Sequence, residues 1–211
     1  FNRGGFPALP MAFTPGFDVV VDQPDHLRFA AAAINLMAQQ TALTLQPRIA
    51  TMPAAAASGR GLLVVARGED LNQAGLTPTV APGKGNAVGI GGAANIDVDL
   101  GGPIGVVQVF SHNGRKVLAV NGTDTWDLVD RSFDYIRDSP SRWAAMSGDV
   151  VATGSAGQTV NLTLHEGGAL IDEYPGDSWK WWAWLTAGAC AAMLLSAMGV
   201  LLWRRRRAHH E

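Results

Sequence analysis

The chain has 211 residues, with 16 basic and 18 acidic side chains and a formal net charge of −2 at pH 7. Most of the carboxylates fall before Lys180, and an acidic body excludes a nucleic-acid binder, because neutralising phosphates needs a basic face. The one cysteine, Cys190, lies within an apolar run, which excludes disulfides and thiol chemistry from the rest of the chain.

Residues 1–16 (FNRGGFPALPMAFTPG) scatter apolar residues among Pro and Gly, and read as an extended lead-in or linker. No initiator Met or basic-then-apolar leader opens the chain, so a longer parent sequence is expected. Phe17 to Val21 (FDVVV) is a β-branched run and predicts a strand. Asp22 and Pro24 then supply a helix start. The helix is expected from Asp25 to Gln40, with Leu27, Ala30, Ala31, Ile34, Met37 and Ala38 on its buried face.

Leu43 to Ile49 contains Pro47 and is at best an edge strand. Thr51 to Arg60 (TMPAAAASGR) has the composition of an exposed loop. Gly61 to Ala66 (GLLVVA) is apolar on both faces, as a central strand covered on both sides must be. Glu69 to Ala74 predicts a short helix, and residues 75–103 an irregular Gly-rich insert.

Val106 to Phe110 and Lys116 to Val120 flank Asn113-Gly114, the strongest short hairpin signal, because both turn positions tolerate φ > 0. A helix from Asp124 or Thr125 to Ile136 buries Trp126, Val129, Phe133 and Ile136 and shows Asp127, Asp130, Arg131 and Asp134 to water. Arg142 to Met146 predicts a helical turn, and Asp149 to Thr153 and Thr159 to Leu164 predict strands. Strands alternating with helices, with one hairpin inserted, favour an α/β fold: a flavodoxin-like layered domain over residues 17–165 with a mostly parallel sheet.

Residues 166–180 then read as an interfacial segment, 181–203 as a transmembrane helix and 204–211 as a cytoplasmic basic tail. The uncharged run between Lys180 and Arg204 is about 23 residues, or about 35 Å as a helix, against a hydrocarbon core of about 30 Å. Trp179, Trp181, Trp182 and Trp184 at one end and Trp203 at the other match two membrane interfaces. Arg204, Arg205, Arg206 and Arg207 place the C-terminus in the cytoplasm and the preceding domain outside. Gly188, Ala192, Ser196 and Gly199 form a small-residue edge on which another helix can pack closely.

Other motifs are weak. Gly89-x-Gly91 with Ala94 imitates a dinucleotide fingerprint, but no strand leads into it and NIDVDL does not start a helix. Asp97 and Asp99, or Asp124, Asp127, Asp130 and Asp134, offer carboxylates for acid–base work, yet the helical spacing of the latter is that of a solvated face. His26, His112 and His165 are isolated, and His209 and His210 lie in the tail; none has the spacing of a metal site. Asn121-Gly122-Thr123 and Asn161-Leu162-Thr163 match a glycosylation pattern that is common by chance.

The FDVVVD–helix opening, the GLLVVA strand, NGRKVLAVNGTD leading into an amphipathic helix, the segment Trp143 to Val151 and the basic-ended C-terminal span together resemble the C-terminal part of the bacterial cellulose synthase B subunit. The resemblance covers about Phe13 to Arg207, with diffuse motifs and no counterpart for residues 81–103. It implies a non-catalytic subunit of the plasma (inner) membrane, anchored by one helix that packs on a multi-span glycosyltransferase, with an extracytoplasmic body supporting export of the nascent polysaccharide. It also implies a flavodoxin-like domain that binds no flavin, and leaves nucleotide-sugar and cyclic-di-GMP chemistry to the partner. On this reading no catalytic, cofactor or metal residue is expected. The rivals are an anchored hydrolase trimming the polymer and a stand-alone anchored receptor or adhesion module.

Overall fold

A computed structural model describes residues 5–82, 88–90, 102–123, 126–138, 143, 148–165 and 168–174. The first strand, β1 (Phe17–Val21), is followed by α2 (Leu27–Ala38), the second helix of the chain after a short α1 (Leu9–Ala12). Then come β2 (Pro47–Ile49), α3 (Met52–Ser58), β3 (Gly61–Val65) and α4 (Gly68–Gln73). A small hairpin, β4 (Val80–Pro82) and β5 (Val88–Ile90), precedes the long β6 (Ile104–His112) and β7 (Arg115–Gly122). Helix α5 (Asp127–Arg137) and strands β8 (Val150–Gly154), β9 (Thr159–His165) and β10 (Gly168–Tyr174) complete the order.

Eight of these strands form one sheet in the order β10-β9-β8-β6-β7-β3-β1-β2. The sheet is mixed. From β2 to β7 the pairings are parallel, and from β7 to β10 they are antiparallel. The parallel half follows the expected strand–helix alternation. In the other half β6 with β7, and β8 with β9 and then β10, are antiparallel neighbours that follow one another in the chain, while β8 returns beside β6 across α5. The β6–β7 hairpin closes at Asn113-Gly114, with φ of 50° and 76°, and pairs His112 with Arg115.

Helices cover both faces of the parallel half. On one face α2 and α5 bury Phe29, Met37, Val129 and Phe133 against Val19, Leu63, Leu118 and Val120. On the other, Ala55 of α3 and Leu71 of α4 cover Val20, Leu62, Val64 and Val117. A third cluster places Val80 over Ile104, Val106, Val150, Ala152, Val160 and Leu162. Gly105 lets α5 sit close on the sheet, since a Cβ there would overlap the backbone of Leu128 and Val129.

Several expectations are corrected. Residues 5–16 are not an extended lead-in: a 3₁₀ turn (Phe6–Ala8) and α1 fold back, and Phe6, Leu9 and Phe13 are fully buried. The buried face of α2 is rotated from the expected one. Phe29, Ala30, Ala33, Leu36 and Met37 point inward while Leu27 is 44% exposed. The unbroken run Ala30 to Ala33 carried no directional signal, and Phe29 chooses the face by stacking with Trp126 at 5.0 Å and Phe133 at 6.4 Å. Residues 52–58 form α3 where a loop was expected, with Pro53 in its first turn and Gly59 ending it at φ 67°. Within the Gly-rich insert β4 and β5 pair as a hairpin, and the start of the segment taken as interfacial is the edge strand β10. Among the described residues no helix is long and apolar enough to cross a membrane, and residues 175–211 lie outside them.

Candidate functional site

In an open sheet the chain makes a crevice where successive crossovers leave a strand in opposite directions. Here that strand is β1. Its outgoing helix α2 lies on one face and α3, which returns from β2 to β3, lies on the other. Beyond the carboxyl ends of β1, β2 and β3 opens a crevice of about 590 Å³.

Each wall has a local cause. The β1 end is held by Asp22 N–H donating to the Val65 carbonyl at 3.0 Å, and the β2 end by Ala50 N–H donating to the Val19 carbonyl at 2.9 Å. This leaves Val20 and Asp22 on one side and Ile49 and Thr51 on the other, with Met52 starting α3. Ala66 forms the floor beyond β3, and Asp70 enters from α4. Thr51 is the N-cap residue of α3 but makes no side-chain cap bond, so its hydroxyl is unspent. Among the described residues, no lysine, arginine or aromatic ring lines the crevice.

Asp22 reaches outward to His26, whose Nδ1 lies 2.5 Å from Asp22 Oδ1. The imidazole is 7% exposed and lies 3.8 Å, centroid to centroid, from the Trp126 ring. This aromatic and carboxylate packing fixes the turn after β1.

Below the crevice an ion pair between buried Asp18 and half-exposed Arg48 sets its frame. Asp18, fully buried on β1, accepts from Arg48 Nε and Nη2 at 2.8 Å and from the Ser58 hydroxyl. Burial, the largest influence on this carboxyl, raises its pKa, but the hydrogen bonds from Arg48 and Ser58 and the charges of Arg48 and Arg60 together hold it below its ordinary value. Arg48 is in turn raised by its bond to Asp18. At the far end of α3, Arg115 Nη1 donates to the Ala55 carbonyl at 2.5 Å. Asp18 and Arg115 thereby fix both edge strand and helix. Sequence reasoning missed this group, because its members are separated by tens of residues.

The residues singled out from sequence do not converge. Asp130 pairs with Arg28 at 3.0 Å, and Asp134 pairs with Arg137, all on the surface. His112 is solvent-facing beside Asn113. Gly89 lies in β5, while Gly91, Ala94, Asp97, Asp99 and Asp124 lie outside the described residues. Asn121 and Asn161, the two acceptor-pattern asparagines, are 0% and 8% exposed within strands, which closes them to modification in the folded protein. Among the described residues no group of three or more His, Cys, Asp or Glu is placed to hold a metal ion. The packing edge Gly188, Ala192, Ser196 and Gly199 and the interface residues Trp179 to Arg207 lie outside the described residues.

Fold and crevice together define an α/β protein with a mixed sheet and an apolar, carboxylate-rimmed crevice at its strand-order reversal. The chain matches no protein-family model and no curated protein.

Proposed function

We propose that the chain is a non-catalytic, membrane-anchored subunit of a polysaccharide synthase and secretion complex, similar to the C-terminal part of the bacterial cellulose synthase B subunit. Its flavodoxin-like body stands outside the membrane, and its last helix packs on a multi-span glycosyltransferase through Gly188, Ala192, Ser196 and Gly199. The observation that carries the reading is the sequence of the anchor: an uncharged run bounded by tryptophans, with four consecutive arginines behind it, following an acidic body.

Two features of the body agree with it. The strand order β2-β1-β3 is that of a flavodoxin-like sheet at its ligand-binding end. Yet the turn after β1 reads Asp22-Gln23-Pro24-Asp25, which lacks a backbone donor at Pro24 and carries two carboxylates, a composition that disfavours a phosphate. Such a body suits a scaffold.

The test is a detergent pull-down of the tagged full chain with identification of co-purifying subunits. A multi-span glycosyltransferase is expected, and Gly188→Leu with Ser196→Leu is expected to lose it. Recovery of the chain alone, or retention of the partner by the bulky variant, overturns the reading. The hydrolase alternative draws on one observation, that Asp22 and Asp70 share a crevice. Against it, Asp22 is engaged by His26 and no ring in the wall offers a sugar a face to stack on. Glucan cleavage by the full chain, abolished in Asp70→Asn, would establish it.

A further inference from the structure

The dipeptide Asn-Gly occurs twice in the chain, and the fold treats the two copies in opposite ways. Asn121-Gly122 ends β7, with the Asn121 side chain fully buried beside Gln108. Asn113-Gly114 is the tip of the β6–β7 hairpin, and both residues are exposed. The space where a Gly114 side chain would stand is empty to 4 Å, and the Gly114 N–H has no acceptor among the described residues. Asn113 Nδ2 donates to His112 Nε2 at 3.1 Å. An unpaired main-chain nitrogen, the carboxamide just before it and a proton carrier on that carboxamide's nitrogen therefore meet at one water-filled point.

Those groups can react with one another. The Gly114 nitrogen, losing its proton to water, attacks Asn113 Cγ, an intramolecular step favoured because both atoms belong to one short stretch of chain. With no Cβ on Gly114, nothing hinders the approach. The new N–Cγ bond makes Nδ2 a tetrahedral amine with a lone pair, which accepts a proton from the imidazolium form of His112. The Cγ–Nδ2 bond then breaks, ammonia leaves, and a cyclic imide remains. One water adds to the imide and reopens it, either to aspartate or to isoaspartate, whose main chain runs through the former side chain. We infer that Asn113 is a self-modification site, deamidated by the Gly114 nitrogen with His112 as proton donor to the leaving ammonia, and that the fold spares Asn121. The isoaspartate product puts an extra methylene into a two-residue turn that ends at Arg115, the residue whose Nη1 holds the Ala55 carbonyl of α3.

The test is to age the full chain in detergent at neutral pH, folded and in urea, and to follow each asparagine by mass spectrometry. Trypsin cleaves after Arg115 and Lys116, which puts Asn113 and Asn121 on separate peptides. In the folded chain Asn113 is expected to turn from amide to acid about a hundredfold faster than Asn121, whose reaction waits on the opening of a core strand. In urea the two rates should converge. His112→Gln keeps a hydrogen-bonding side chain but has no ring proton to give. It should slow Asn113 in the folded chain about tenfold, less than a fully enclosed acid supplies, and leave Asn121 unchanged. Circular dichroism separates these effects from loss of fold. An Asn113 that stays an amide, or that converts no faster than Asn121 in the folded chain, overturns the site, and a wild-type rate in His112→Gln overturns the part given to His112.

Discussion

Asp18 shows why a single residue can escape a sequence reading. In FDVVV it interrupts a β-branched run, and nothing nearby compensates it. Its partners Arg48 and Ser58 are 30 and 40 residues on, and only the parallel pairing of β1 with β2 and the return through α3 bring them together. Replacing Asp18 with Asn should cost about 1–3 kcal/mol, because half-exposed Arg48 and Ser58 lose an ionised acceptor that is itself shut off from water. The sign of the pH dependence follows from the lowered pKa of the carboxyl. A group whose folded pKa lies below its unfolded value, about 3.9 for Asp, contributes stability that is complete above that value and is lost as pH falls through the folded pKa. Urea unfolding at neutral pH and at stepped acid pH should therefore show wild type losing stability below about pH 4, and Asp18→Asn losing less over the same interval. A variant with the wild-type acid slope would mean that other carboxylates set it.

At the scale of elements, the strongest local signals were the legible ones. The strands β1 and β3, the Asn113-Gly114 hairpin and the inward face of α5 follow from β-branched runs, a turn dipeptide and a helical stripe, all contained in short windows. Helix α3 was hidden by its own composition: four alanines give no amphipathic stripe, though Pro53 near its start and Gly59 after it are the marks of helix ends. The β4 segment was illegible for a different reason. It is held by one distant side chain, Gln108 on β6, whose amide accepts from Val80 N–H at 2.8 Å and donates to the Val80 carbonyl at 2.9 Å, as a neighbouring strand would. The same amide nitrogen reaches Asn121 Oδ1 at 3.0 Å, so the pin is anchored across two strands. Gln108→Leu keeps the bulk but strands both polar groups of Val80 in a buried place, at a cost of about 1–3 kcal/mol. Hydrogen exchange should find the Val80 amide deprotected by the substitution while the β3 amides stay slow. Unchanged exchange at Val80 would show that the cluster of Val80, Ile104 and Val106 holds β4 without the amide.

For the whole molecule, strand–helix alternation revealed the α/β layering but not how far the parallel pairing extends. The helix-connected strands β1, β2 and β3 pair in parallel as their crossovers require, and β7 continues them only because the hairpin from β6 returns it in that direction. Beyond α5 the chain returns as β8 beside β6, and β9 and β10 then add to it as successive antiparallel strands. Period-2 runs announce such strands without stating their neighbours, and the sequence therefore left β10 looking like the approach to a membrane. Its place at the sheet edge has a consequence for dissection. Phe1–Tyr174 is a compact unit, and β10 covers the outer edge of β9 from Thr159 to His165. A chain ending after Tyr174 should unfold in one cooperative transition, since its core clusters are all retained. A chain ending after His165 bares the backbone donors and acceptors of β9, whose neighbour β8 is buried on both faces, and an unprotected edge of this kind pairs with other copies. Light scattering of the two truncations should find the longer monomeric and the shorter associating as concentration rises. Equal behaviour would mean that β9, with polar Asn161 and Thr163 along it, already protects its own edge.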